Sequence, residues 1–153
     1  MINNTPIPKW ILPVIVVSQF CGTSLWFSSN AILQDLIIHF SLPENTLAHI
    51  TSAVQFGFIT GTLLFAIFTI ADRFSPSKVF LISAFIAAIF NLAIVWNYNS
   101  LTSILILRFL TGFFLAGIYP VGMKIAADYY NKGLGKSLGF LVGALVLLSL
   151  IHI

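Results

Sequence analysis

Apolar residues along this chain run in long unbroken stretches, and polar residues gather in the short gaps between them. Five stretches approach or reach the roughly 20 residues needed to cross about 30 Å of hydrocarbon as a helix. They cover residues 10–36, 47–71, 79–96, 101–123 and 137–153. None alternates with the two-residue period of a membrane β-strand, so the pattern predicts helices. The gaps carry helix breakers: Pro43 after the first stretch, Ser75-Pro76 after the second, Asn97 to Ser100 after the third, Gly133 and Gly135 after the fourth. Proline and glycine stop helices for steric reasons, and links this short make successive helices antiparallel neighbours. The expected fold is all-α and integral to a membrane, a bundle of about five transmembrane helices.

Composition agrees with the pattern. Of 153 residues, 59% are hydrophobic and 7% charged. A soluble domain carries about 25% charged residues, and a small one leaves much of its surface in water. A water-facing enzyme and a disordered chain are therefore excluded as classes. Cys21 stands alone, which removes a disulfide scaffold. No basic cluster suits nucleic acid, and no nucleophile triad, phosphate loop or metal-ligand spacing is present. The reading is a non-enzyme without a cofactor or metal, whose partners are the lipid bilayer and a small solute. A secretory leader is the competing account of the first stretch. Its apolar run is too long for one, and no small-residue cleavage site follows.

Charge gives the orientation. Lys9 precedes the first stretch, Arg73 and Lys78 follow the second, and Lys124, Lys132 and Lys136 lie at the link between the fourth and fifth. All six fall on one side, while the links after the first and third stretches hold no lysine or arginine. The positive-inside rule then predicts a cytoplasmic amino terminus and an inner-membrane, multi-pass protein. The chain stops as its last stretch reaches the far face, which predicts a fragment of a longer protein.

The seventh cation, Arg108, lies inside the fourth stretch, roughly 10 Å from its outer end at 1.5 Å per residue. An arginine there costs about 2.5–3.5 kcal/mol on insertion scales. It should face a wet cavity or a polar partner, or else snorkel to the outer interface. Other polar residues repeat at helical spacing. Gln19, Thr23, Trp26 and Asn30 form one stripe, Gln55 and Thr62 share a face, and Arg108, Gly112, Leu115 and Tyr119 form another stripe. Two readings stand for these stripes: a solute pathway between helices, or interhelical hydrogen bonding without a ligand. Small residues also repeat, at Gly57 and Gly61 and at Gly135, Gly139 and Gly143, which predicts close helix approach and self-association.

Several of these residues fall in recognisable motifs. The link Ala71-Asp72-Arg73-Phe74-Ser75-Pro76-Ser77-Lys78 resembles the cytoplasmic signature of the major facilitator superfamily, G-x-L-A-D-R-x-G-R-R/K. Asp72, Arg73 and Lys78 match, while Phe68 and Ser75 replace the two glycines. Arg108 and Gly112 are similar to that family's fourth-helix pattern R-x-x-x-G-x-G, with Phe114 at the second glycine and Gly117 one turn on. Ser24-Leu25-Trp26-Phe27-Ser28-Ser29-Asn30-Ala31 resembles a pattern of the nitrate/nitrite and cyanate permease-like branch. The resemblance implies the amino-terminal part of a twelve-helix secondary transporter, less one helix, and inactive without its missing half. Together with the polar stripes it implies a solute pathway through Gln19, Thr23, Trp26, Asn30, Gln55, Arg108 and Tyr119. It also implies a cytoplasmic gate of Asp72, Arg73, Lys78 and Asp128, with Lys78 paired to Asp128. Arg108 tilts the expected solute toward a small anion. The alternative is a small membrane protein that binds partners without transport.

Overall fold

A computed structural model describes residues 7–31, 35, 37–38, 46–96, 98–130 and 133–151, with the side chains of 29, 30 and 151 set aside. Every regular element among them is helical. They are α1 (Ile11–Ala31), α2 (Thr46–Ile67), α3 (Ile70–Arg73), α4 (Pro76–Ala93), α5 (Leu101–Leu115), α6 (Tyr119–Tyr129) and α7 (Leu134–Ile151). Among the described residues four segments are long and apolar enough to cross a bilayer: Ile11–Ser28, Thr46–Ile67, Pro76–Ala93 and Leu101–Tyr129. The remaining apolar helix, Leu134–Leu150, is shorter. The chain is a multi-pass membrane protein whose outer helix faces carry exposed leucine, isoleucine, valine and phenylalanine. Leu81, Ile82, Phe85, Ile89 and Leu92 along α4 are examples. In water such a surface would drive aggregation, and in a bilayer it meets a solvent as apolar as itself.

Local chemistry sets the helix ends. Pro76 sits in the first turn of α4, where its missing N–H is no loss. Ser100 caps α5 in a reciprocal box with Ser103, which satisfies two N–H groups that the helix itself leaves free. The fourth stretch, expected as one helix ending near residue 123, is instead two helices reaching Tyr129. Pro120 explains the break: it cannot donate to the carbonyl four residues back, and its ring clashes there. The chain passes the gap with tighter three-residue bonds, Gly117 N to Phe114 O and Ile118 N to Leu115 O, both 3.0 Å. A second break separates α2 from α3 at Thr69, whose φ of 49° is left-handed. A β-branched residue in that region is strained.

The closest packing is between α2 and α5. A Cβ on Gly57 would overlap the Phe109 carbonyl, one on Gly61 the Phe113 carbonyl, and one on Gly112 the Val54 carbonyl. These two helices therefore touch backbone to backbone. That corrects the expected self-association through Gly57 and Gly61, because α5 of the same chain already fills that face. Ile50, Ile94 and Ile104 form the core toward one end, and Val54, Ala87, Leu115 and Ile118 form it near the middle. α1 lies across this core, against α4, α5, α6 and α7.

Candidate functional site: an aromatic cavity beside a buried arginine

A cavity of about 390 Å³ lies where α1, α2, α5, α6 and α7 converge. α1 contributes Thr23, Trp26 and Phe27, which fall on one side of a helix because they are spaced by about one turn. Phe58 comes from α2 and Leu115 from α5; Tyr119 begins α6 just past the break, and Leu145, Val146 and Ser149 come from α7. Trp26 and Phe58 meet edge to face, with ring centroids 5.0 Å apart at 73°, a favourable arrangement for aromatic quadrupoles. Among the described residues the lining holds no charged side chain. Its polar atoms are the hydroxyls of Thr23, Tyr119 and Ser149 and the indole N–H of Trp26.

Arg108 lies behind this lining and is fully buried. Its Nη1 donates to the Leu25 carbonyl at 3.1 Å and to Asn91 Oδ1 at 3.0 Å, and its Nη2 donates to the Trp26 carbonyl at 2.7 Å. Nε has no partner. Ser28 Oγ also donates to Asn91 Oδ1, at 2.7 Å. No carboxylate lies within ion-pair range of Arg108 among the described residues. The guanidinium is thus held by helix carbonyls, each of which keeps a second lone pair after its helical bond. The contact ties α5 to the stretch of α1 that carries Trp26, and α4 joins through Asn91. Snorkelling does not occur, since the head group stays inside the bundle.

Of the residues expected along the pathway, the structure gathers Thr23, Trp26 and Tyr119 at the cavity. Gln19 lies next to it and is buried, with Nε2 donating to the Tyr119 carbonyl at 3.3 Å. Its Oε1, turned toward Gly122, has no partner. Gln55 is exposed on α2 and lies outside the lining. The side chain of Asn30 lies outside the described residues, as does Lys132. Sequence reasoning missed Phe58, Leu145, Val146 and Ser149, which are ordinary membrane residues until α7 folds over α1. It also missed Asn91, although a single amide within the otherwise apolar α4 was a readable signal.

At the other end of the bundle the expected gate is wired differently. Asp72 pairs with Lys124, Oδ1 to Nζ at 2.6 Å, and Lys78 and Asp128 form no ion pair. Lys124 lies one turn before Asp128 on α6 and reaches α3 first. Asp128 instead shares a cleft of about 250 Å³ with Pro76 and Ser77 at the start of α4, where helix N–H groups favour a carboxylate. Arg73 and Lys78 are exposed. A further cavity of about 220 Å³ lies beside the Asp72–Lys124 pair, between Thr62, Phe65, Thr69 and Pro120.

Comparison with known proteins adds two findings. A family model for the Major Facilitator Superfamily matches residues 15–151. A curated relative, "Putative metabolite transport protein YyaJ" of Bacillus subtilis (strain 168), is 26% identical over 133 residues. Those residues are 85% of this chain and 28% of the relative, so the chain spans little more than a quarter of that protein's length. No solved structure matches the chain.

Proposed function

The chain belongs to the Major Facilitator Superfamily, and from that premise we propose that it forms part of a secondary transporter moving a small solute by alternating access. The observation that carries this reading is the cavity itself. It is walled by five helices, lined by Thr23, Trp26 and Tyr119 from the polar stripes, and braced from behind by Arg108. Alternating access needs two repeats rocking about a site near the membrane midplane. These helices belong to one such repeat, so the chain moves no solute until a second polypeptide segment supplies the other. The amino terminus is cytoplasmic and the membrane is the inner one; the one-sided cation count supports this, as does the Asp72–Lys124 pair between two lysine- or arginine-bearing links.

The anion reading rested on Arg108 and on a resemblance to nitrate and cyanate permeases. Both Nη groups of Arg108 are already occupied by α1 and Asn91, which weakens it. A partner-binding role without transport keeps one supporting observation. Gly135, Gly139 and Gly143 on α7 have open space where a Cβ would lie, room that another helix, or a second copy of this one, could use.

The test is solute uptake into proteoliposomes that hold the purified chain, alone or together with the polypeptide encoded immediately downstream. Uptake of labelled metabolites is expected only with both. Uptake by the chain alone would remove the claim that it is one part of a transporter. Uptake by neither would remove the transport reading and leave the partner-binding one.

A further inference from the structure

We infer that the cavity selects an uncharged solute with a flat or bulky apolar body and one hydrogen-bonding group, and that it discriminates against anions. The inference rests on the transport reading above and names the substrate class of that site. Three observations carry it. Among the described residues the lining is apolar except for hydroxyls and one indole N–H, and holds no cation to receive an anion. The nearest buried cation, Arg108, is fully enclosed, with both Nη groups bonded to the Leu25 and Trp26 carbonyls and to Asn91. Three of its five N–H donors are spent there, and although Nε keeps a free N–H, Arg108 is not among the residues that line the cavity. Third, hydroxyls are free on two of the helices that line it, α6 and α7. Among the described residues Tyr119 and Ser149 make no side-chain hydrogen bond, while Thr23 Oγ1 donates to the Gln19 carbonyl at 2.7 Å and keeps its lone pairs. Hydroxyls on two walls suit a carbonyl, amide or alcohol.

The energetics point the same way. An ionised carboxylate moved into an apolar cavity without a paired cation loses hydration that neutral hydroxyls do not replace. A neutral amide of the same shape loses far less, and Trp26, Phe27 and Phe58 offer aromatic surface to its body. A cavity of about 390 Å³ is within the size range of ordinary small-ligand sites.

The experiment uses the full 153-residue chain in lipid nanodiscs and three probes of nearly equal shape: benzamide, benzoate and benzylamine. Binding is read by equilibrium dialysis and by fluorescence of Trp26, with Trp10 and Trp96 changed to Phe. Benzamide is expected to bind at least about tenfold more tightly than benzoate, with benzylamine no better than benzamide. Ser149→Ala should weaken benzamide by about fivefold, the loss of one hydrogen bond, and Trp26→Phe, read by dialysis because it removes the fluorophore, should weaken benzamide while preserving the order of the probes. Benzoate binding as tightly as benzamide would overturn the inference and leave the transport reading standing. Failure of all three probes, or benzamide binding indifferent to both Ser149→Ala and Trp26→Phe, would overturn it too, because the cavity would then not be where the probe sits. Those outcomes are separable from failure of the transport reading, which is decided by uptake.

Discussion

Two glycine-bearing faces of this molecule read alike in sequence and end differently in structure. On α2, Gly57 and Gly61 press against the backbone of α5, whose Gly112 presses back against α2. On α7, Gly135, Gly139 and Gly143 face open space. A four-residue repeat of glycine permits close approach and says nothing about which helix approaches. The partner is chosen elsewhere, by chain connectivity and by polar contacts that hold a neighbour in register. α5 has such contacts around it, because Arg108 ties it to α1 and, through Asn91, to α4. α7 packs on α1 and α6 through its other side, where Ser137, Leu141 and Leu148 are buried.

The sharpest way to break this comparison is to add one methyl group to the closed face. Gly57→Ala would place a Cβ inside contact distance of the Phe109 main chain, which cannot rotate away as a side chain could. We expect a loss of about 3 kcal/mol or more, since overpacking that forces backbone shifts lies at the upper end of such costs. Thermal unfolding in mild detergent measures it. A variant as stable as the parent would show that α2 and α5 do not meet at this point.

Much of the architecture was legible because a membrane imposes so few choices. A run of about 20 apolar residues has one stable form in lipid, since every backbone group must be satisfied within the helix. The break in the fourth stretch was readable at Pro120, but unbroken hydropathy from Leu101 onward hid it. The left-handed turn at Thr69 was not readable, because threonine carries no signal for that backbone region. The cost of burying Arg108 was plain from its depth. Its partners were hidden, because two of them are main-chain carbonyls of Leu25 and Trp26, and a carbonyl has no residue type. The period of Gln55 and Thr62 showed that they share one side of α2 but not which side faced inward. The cavity was half visible: its α1 wall follows from the stripe of Thr23 and Trp26, whereas the α7 wall depends on a docking that apolar residues alone do not encode.

A second test bears on what holds α5 in place. Arg108→Lys keeps the charge but removes the planar fork that reaches the Leu25 carbonyl, the Trp26 carbonyl and Asn91 together. One ammonium cannot span the three. A loss of about 2 kcal/mol is expected, the upper end for interhelical polar contacts in membranes, along with a shift in Trp26 fluorescence as its backbone anchor loosens. Unchanged stability and emission would mean that α1 is held by packing alone. Asn91→Ala probes the same cluster more gently. Arg108 keeps both carbonyls and Ser28 keeps the Leu25 carbonyl at 3.0 Å, so about 1 kcal/mol is expected. If Asn91→Ala proves costlier than Arg108→Lys, the amide and not the guanidinium organises the cluster.

The open face gives the smallest effect and decides what that face is for. Gly139→Ala adds a methyl group where nothing lies within 4 Å. The folded chain therefore has no clash to suffer, and alanine is the better helix former by up to about 1 kcal/mol in a helix interior. In isolated, monodisperse chain the variant should unfold at the same temperature or slightly higher. If α7 meets another helix in a larger assembly, the same methyl group falls into that contact. The monomer would then be unharmed while the association, followed by cross-linking in native membranes, weakens. Loss of stability in the isolated chain is the damaging result. It would mean that α7 already packs its glycines against this bundle, and the contrast between the two faces would disappear.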